Sequence, residues 1–175
     1  TRTATPIPTN TPTGPILQEV FPQVDGGKAF GERTEPGTLT AKFVDTYDCL
    51  HSGKYGLKLT YEMPPDGHGV WGVHWVQPPM TDHFDASGFS SFSFWVRGSS
   101  GGESFQTGLK DRSGKEIKVE STDWVVVSAS EWRQVVIELS EFTGVDTTTV
   151  ENVNFGFNES HGQGTICIDD IAFVP

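Results

Sequence analysis

From Ile16 onward, apolar and polar side chains alternate with a period of two in one short segment after another. This pattern is typical of β-strands that bury one face. No segment keeps a 3.6-residue period over three helical turns, and Gly, Pro, Ser and Asp clusters separate the segments. We therefore predict an all-β fold, an antiparallel sandwich. The clearest segments are 57–60, 92–97, 105–110, 134–139, 152–158, 165–168 and 171–174.

Length and charge exclude several classes of protein. The 175 residues suit one domain, and 12 basic against 23 acidic side chains give a formal net charge of −11. Binding of nucleic acid depends on cations that neutralise phosphates, so the acidic balance argues against it, and also against an anionic membrane surface. The apolar runs are far shorter than the roughly 20 residues of a spanning helix.

The first fifteen residues differ from the rest in composition. They hold six Thr and four Pro, which favours an extended backbone and cannot build a core. We predict an interdomain linker over 1–15, with a disordered tail as the alternative, and one domain over 16–175. Because the chain begins at Thr1, we expect a processed product or an excised fragment of a longer protein.

The chain has two cysteines, Cys49 and Cys167, at a spacing that matches no zinc or redox motif. Terminal strands of sandwiches often run side by side, so a disulfide between an early and a late cysteine is feasible. Two free thiols are the alternative. A disulfide would indicate an oxidising, extracellular setting.

Five Trp in a small acidic chain suggest a binding surface. Trp71 and Trp75 lie on one side of a strand, and Trp95 lies opposite the apolar stripe of its own strand. Aromatic faces stack on the C–H faces of sugar rings, while amides and charges bond hydroxyls. For each Trp, the alternative is a place in the core. The candidate ligand-binding residues are Trp71, His74, Trp75, Trp95, Arg97, Gln106, Lys110, Asn154 and Asn158.

Motifs of common enzyme classes are missing from the sequence. Many carboxylates remain, so a glycoside hydrolase or lyase on a jelly roll is one alternative to a binding module. The other is a structural or adhesion module, which would bind no sugar and would bury its Trp residues.

Adjacent Asp169 and Asp170 interrupt the apolar last strand. Half-buried carboxylates there need a partner, and Ca²⁺ is a natural one. Asp25 and Asp48 are candidate further ligands. The alternative is a bulge with both carboxylates in water.

Several segments together resemble the jelly-roll carbohydrate-binding modules of bacterial polysaccharide-degrading enzymes, in particular families 11, 4 and 22. In order, they are HSGKYGLKLTY (51–61), FSSFSFWVRG (89–98), FQTGLKDRSG (105–114), EWRQVVIELSEF (131–142) and ICIDDIAF (166–173). The resemblance implies a galactose-binding-like jelly roll of two antiparallel sheets. It implies a structural Ca²⁺ with Asp169 or Asp170 as a ligand, and a groove on the concave sheet to which Trp95 and Arg97 contribute.

These observations together predict a non-catalytic carbohydrate-binding module, secreted and monomeric, tethered by the linker to a catalytic domain. Its expected ligand is a β-glucan, with xylan or mannan as other possibilities. No nucleic acid or membrane partner is expected.

Overall fold

Two five-stranded antiparallel sheets are stacked in the computed structural model, which describes residues 27–75 and 83–175. The front sheet has the order β1-β4-β9-β6-β7, and the back sheet has the order β2-β3-β10-β5-β8. This confirms the all-β sandwich. The strands are β1 (Lys28–Thr34), β2 (Thr38–Val44), β3 (Gly56–Glu62), β4 (His68–His74), β5 (Ser91–Gly98), β6 (Gln106–Asp111), β7 (Glu116–Glu120), β8 (Arg133–Glu138), β9 (Val150–Asn158) and β10 (Gln163–Val174).

Helical structure in the described residues is limited to single 3-10 turns. None of these helices has the length and apolar character needed to cross a membrane. The linker predicted at 1–15, the start of the domain at 16 and Asp25 lie outside the described residues. The turns are Tyr47–Cys49, Ser121–Asp123, Leu139–Glu141, Thr147–Thr149 and Glu159–His161.

Aromatic rings fill the space between the sheets. Phe94 of β5 meets Phe155 of β9 edge to face at 5.1 Å, and Tyr61 of β3 stacks on Phe157 of β9 at 4.2 Å. These contacts join one sheet to the other. They follow from the alternation in the sequence, because the apolar phase of each strand points to the core.

Trp71 and Trp75 belong to this core, being 4% and 0% exposed. The ring of Trp75 stacks on Phe84 at 5.3 Å, and Trp71 meets Phe43 of β2 at 6.1 Å. The prediction that these two rings face a ligand is therefore wrong. The large apolar side chains of β4 gain more by burial than by exposure, and the opposite phase of the strand carries His68 and His74.

The disulfide between Cys49 and Cys167 is formed and joins residues 118 apart in sequence. It fastens the segment before β3 to the middle of β10. Beside it, Oδ2 of Asp169 accepts hydrogen bonds from the backbone N–H groups of His51 at 2.8 Å and Ser52 at 3.0 Å. The same segment is thus held by a covalent bond and by a buried carboxylate.

Asp111 organises the turn between β6 and β7. The residue is 2% exposed, and its carboxylate accepts hydrogen bonds from the backbone N–H groups of Ser113 at 2.8 Å, Lys115 at 3.2 Å and Asp146 at 2.9 Å. Burial alone would raise the pKa of Asp111, but these bonds outweigh it and lower the pKa below its ordinary value.

Asp111→Asn is expected to lower the free energy of unfolding at pH 7 by about 1.5–3 kcal/mol, because several hydrogen bonds to a charged acceptor are weakened. A lowered pKa in the folded state contributes stability above the unfolded pKa, and this contribution is lost as the pH falls through the folded value. The difference in the free energy of unfolding between the unaltered protein and Asp111→Asn should therefore shrink below about pH 4. Urea unfolding from pH 7 down to pH 3 measures it.

The control for the loss of one negative charge is Asp123→Asn, at an exposed position. It should change the free energy of unfolding little across the same range. A deficit of Asp111→Asn that stays constant with pH would contradict the electrostatic explanation.

Candidate functional site

The outer face of the front sheet carries rows of side chains that run across the strands. Residues paired in register stand side by side on neighbouring strands and share one face. One row takes a residue from each strand, and we call it the central row: Phe30, Gly72, Asn154, Gly108 and Lys118. Four inter-strand spacings of about 4.8 Å give it a length of about 19 Å.

Two glycines let larger members of the central row lie close to the sheet. A Cβ atom at Gly72 would stand 2.8 Å from Cε1 of Phe30, so the Phe30 ring occupies the space above this glycine. A Cβ atom at Gly108 would stand 2.4 Å from Oδ1 of Asn154, so the Asn154 amide lies above Gly108. Any larger residue at these two positions would push the ring or the amide away from the floor.

Two further rows flank the central row, and we call the three rows together the trough. Members of all three rows line an open cavity of about 320 Å³. In this cavity the rings of Phe30 and His74 meet edge to face at 5.4 Å. One flanking row is Lys28, His74, Asn152, Lys110 and Glu116, and the other is Glu32, Val70, Gly156, Gln106 and Glu120.

Carboxylates balance the cations of the cavity. Nζ of Lys110 lies 3.0 Å from Oε1 of Glu151, and Nζ of Lys118 lies 3.7 Å from Oε1 of Glu116. These pairs remain partly exposed, so each contributes little to stability. Each pair also neutralises a lysine whose positive charge an anionic ligand would need. The remaining chemistry is that of amides, imidazoles, one benzene ring and the carboxylate of Glu32, which suits an uncharged ligand rich in hydroxyl groups.

Five of the predicted ligand-binding residues gather at the trough or at its margin. Asn158 lies at the margin, where its Oδ1 accepts a hydrogen bond from the backbone N–H of Ser160 at 3.0 Å and caps the following turn. That the five contact a ligand stays a prediction. They are His74, Gln106, Lys110, Asn154 and Asn158.

Trp95 and Arg97 lie elsewhere, because β5 belongs to the back sheet. The ring of Trp95 stacks on His51 at 4.1 Å, and Nε of Arg97 donates to the carbonyl of Ala129 at 2.9 Å. The two side chains stand out of phase with the core, as predicted. The expectation that they form one binding surface with the other candidate residues is wrong, since the outer faces of the two sheets are opposite surfaces of the sandwich.

Several residues of the trough were missed by sequence reasoning. Asn152 had a readable signal, because it precedes Asn154 by two residues and so shares its face. Phe30 had no readable signal, because β1 shows no clear alternation of apolar and polar residues. None of its seven residues is buried. The other residues missed that line the cavity are Glu32, His68, Val70, Glu116, Lys118 and Glu151.

The expected calcium ligands do not come together in the described residues. Asp48 is exposed, and a hydrogen bond from the Thr46 side chain is the main cause of its lowered pKa. No group of three His, Cys, Asp or Glu side chains suited to a metal occurs in 27–75 and 83–175.

The surroundings of Asp169 and Asp170 are also unlike a calcium site. Hydrogen-bond donors surround Asp169, since its Oδ1 accepts from the backbone N–H of Asp170 at 2.8 Å. Burial raises its pKa despite these bonds. Asp170 pairs with Nδ1 of His51 at 2.6 Å and accepts from the Ser52 hydroxyl. Ca²⁺ needs about six to eight oxygen ligands, and the donors around these carboxylates do not fit it.

Several solved structures with a similar fold are carbohydrate-binding modules. The family 11 module of the cellulosomal cellulase Lic26A-Cel5E of Clostridium thermocellum matches with a TM-score of 0.61 at 16% identity, over 89% of this chain and 91% of that chain. The family 30 module of the cellulosomal cellulase Cel9D-Cel44B of Clostridium thermocellum matches with a TM-score of 0.58 at 21% identity, over 77% and 80%. The family 11 module from Clostridium thermocellum in complex with a β-1,3-1,4-mixed-linked tetrasaccharide gives 0.62 at 14%, over 87% and 92%. At these low identities the structural likeness shows the fold alone, and it confirms the predicted jelly roll.

The family is shown by the sequence itself. Residues 21–175 match the family described as carbohydrate binding domain 30. Among curated proteins, none matches the chain. The match confirms the prediction of a carbohydrate-binding module, although the motifs in the sequence pointed to families 11, 4 and 22. This chain belongs to the carbohydrate binding domain 30 family.

Proposed function

We propose that the trough binds a single chain of an uncharged β-glucan, which lies along the central row and crosses the strands of the front sheet. One observation carries this proposal. A residue from every strand of that sheet lines up on a shallow floor about 19 Å long, which suits an extended polymer better than a compact ligand.

The residues of the trough suit the two surfaces of a sugar ring. The half-exposed Phe30 ring offers an apolar face at one end of the central row. Amides and imidazoles along the floor offer donors and acceptors for hydroxyl groups. The paired lysines favour a neutral glucan over a polymer that carries carboxylates. The mixed-linked tetrasaccharide bound to the similar family 11 module supports a β-glucan.

In the proposed setting the module is secreted and monomeric, and it tethers a catalytic domain to its polysaccharide. Tethering raises the local concentration of the enzyme on the polymer. The disulfide supports an oxidising, extracellular compartment, and the similar modules come from cellulosomal cellulases.

A panel of polysaccharides tests this proposal. Affinity gels and isothermal titration calorimetry would compare mixed-linkage β-glucan, cellulose oligosaccharides, xylan, mannan and a polyuronate. We expect binding to the β-glucans, with a dissociation constant of about micromolar order, and no binding to the polyuronate. Preference for xylan or mannan would change the ligand, and no binding to any neutral polymer would refute the proposal.

Phe30→Ala is expected to weaken binding of mixed-linkage β-glucan about tenfold, because stacking of a sugar ring on an aromatic face is lost. Titration calorimetry at constant pH and salt measures the change. The melting temperature should move little, since β1 is an edge strand without buried residues.

Tyr47→Ala is the matched control. Tyr47 is an aromatic residue that is 92% exposed and lies between β2 and β3 of the back sheet. Its removal should leave the affinity unchanged. Equal affinities of Phe30→Ala and the unaltered protein would contradict a role for Phe30 in binding.

A further inference from the structure

The amide of Asn154 in the middle of the central row is held in one orientation. Its Nδ2 donates to Oε1 of Glu116 on β7 at 3.0 Å and to Oδ1 of Asn152 on its own strand at 2.8 Å. Both N–H bonds are therefore used. A flipped amide would place Oδ1 against these two oxygens, and it would replace two hydrogen bonds by two repulsive contacts.

The side-chain carbonyl oxygen of Asn154 takes part in neither of these bonds. Asn154 is 2% exposed, and its Oδ1 is buried without a hydrogen-bond partner among the described residues. A buried acceptor without a donor is rare in folded proteins and needs an explanation. Since the orientation of the amide is fixed by its nitrogen, the oxygen cannot turn to find a donor within the protein.

Glycines and the Lys118 side chain lie near this oxygen on the floor of the trough. Oδ1 lies above Gly108, where any Cβ atom would come within 2.4 Å. Nζ of Lys118 reaches from β7 across β6 to within 3.9 Å of the place where a Cβ of Gly156 on β9 would stand. The flexible Lys118 side chain thus extends over the strand between Asn154 and the sheet edge, and a ligand on the central row would displace it.

We infer that Asn154 is a specificity-determining residue, whose Oδ1 accepts a hydrogen bond from one sugar hydroxyl of a glucan bound along the central row. This inference rests on the proposed function. It adds that the trough rejects chains in which that hydroxyl is missing or alkylated, because a buried acceptor would then stay unpaired.

Monodeoxy oligosaccharides provide the test on the unaltered protein. A mixed-linkage β-glucan oligosaccharide is compared by titration calorimetry with analogues that each lack one hydroxyl. One analogue should bind about tenfold or more weakly than the parent. Asn154→Ala should weaken binding of the parent by a similar factor and should bind that analogue no more weakly than it binds the parent.

Gln134→Ala is the control variant. It removes an amide from a strand position on the outer face of the back sheet, where Nε2 of Gln134 lies 3.3 Å from the Ser93 hydroxyl. Its affinity for the parent oligosaccharide should be unchanged. Circular dichroism and melting curves check that both variants fold. If Asn154→Ala does not fold, Gly108→Ala displaces the same amide by a single methyl group.

The outcomes separate this inference from the proposed function. If the unaltered protein binds the parent, but no monodeoxy analogue loses affinity together with Asn154→Ala or Gly108→Ala, Asn154 does not read a hydroxyl. If the unaltered protein binds no β-glucan, the proposed function fails and this inference fails with it.

Discussion

Replacement of Cys49 and Cys167 by serine is expected to lower the free energy of unfolding by about 4–5 kcal/mol. The bond closes a loop between residues 118 apart, so it removes much of the conformational freedom of the unfolded chain. The loss would be a large fraction of the total stability of a domain of this size. Urea unfolding of the oxidised protein and the double-serine variant, without reductant, measures the difference.

The unaltered protein, unfolded and refolded in excess dithiothreitol, is the control for effects of the serine side chains. Its midpoint should approach that of the double variant. Glucan affinity should be retained wherever the variant is folded, because the disulfide fastens β10 of the back sheet and lies away from the trough. A loss of less than about 1 kcal/mol would show that the loop is restrained in the unfolded chain by other means.

Trp75→Ala is expected to lower the free energy of unfolding by about 3–5 kcal/mol, through lost burial and the cavity left behind. The ring is 0% exposed and stacks on Phe84, so the cavity would open deep in the core. The folded fraction should keep its affinity for β-glucan. Urea unfolding gives the first quantity, and titration below the melting temperature gives the second.

Trp132→Ala is the matched control. Trp132 is half-buried and meets His51 edge to face at 5.5 Å outside the core cluster. Its removal should cost clearly less stability than removal of Trp75. If a folded Trp75→Ala variant loses glucan binding while Phe30→Ala keeps it, the tryptophans and not Phe30 bind the ligand.

The periodicity of the sequence predicts which side chains of a strand face the core, and it did so for Phe94, Trp95 and Asn154. It does not predict to which of the two sheets a strand belongs. Trp95 and Asn154 are both out of phase with the core, yet they stand on opposite surfaces, because β5 pairs in the back sheet and β9 in the front sheet. That assignment depends on pairing between distant segments, which leaves no local trace in the sequence.

The expectation for tryptophan failed for a different reason. Trp71 in β4 and Trp75 directly after it were correctly placed on one side, but that side was interpreted as a ligand face, although the other phase of the strand carries the polar residues His68 and His74. The large rings occupy the core, and the small Gly72 lies on the floor of the trough. Burial of these rings also does not mark a module that binds no sugar, since the chain belongs to a carbohydrate-binding family.

Each position of the central row comes from a different strand, and this affects how the ligand preference can change. Residues next to each other along the trough, such as Gly72 and Asn154, are distant in sequence but close in space, so a side chain added at one of them also moves its neighbour. Positions two strands apart are separated by about 10 Å, a distance at which the effects of substitutions usually add. Affinity can therefore be changed stepwise at the two ends of the groove, whereas its middle, where Asn154 contacts Glu116 and lies above Gly108, has to be varied as a unit.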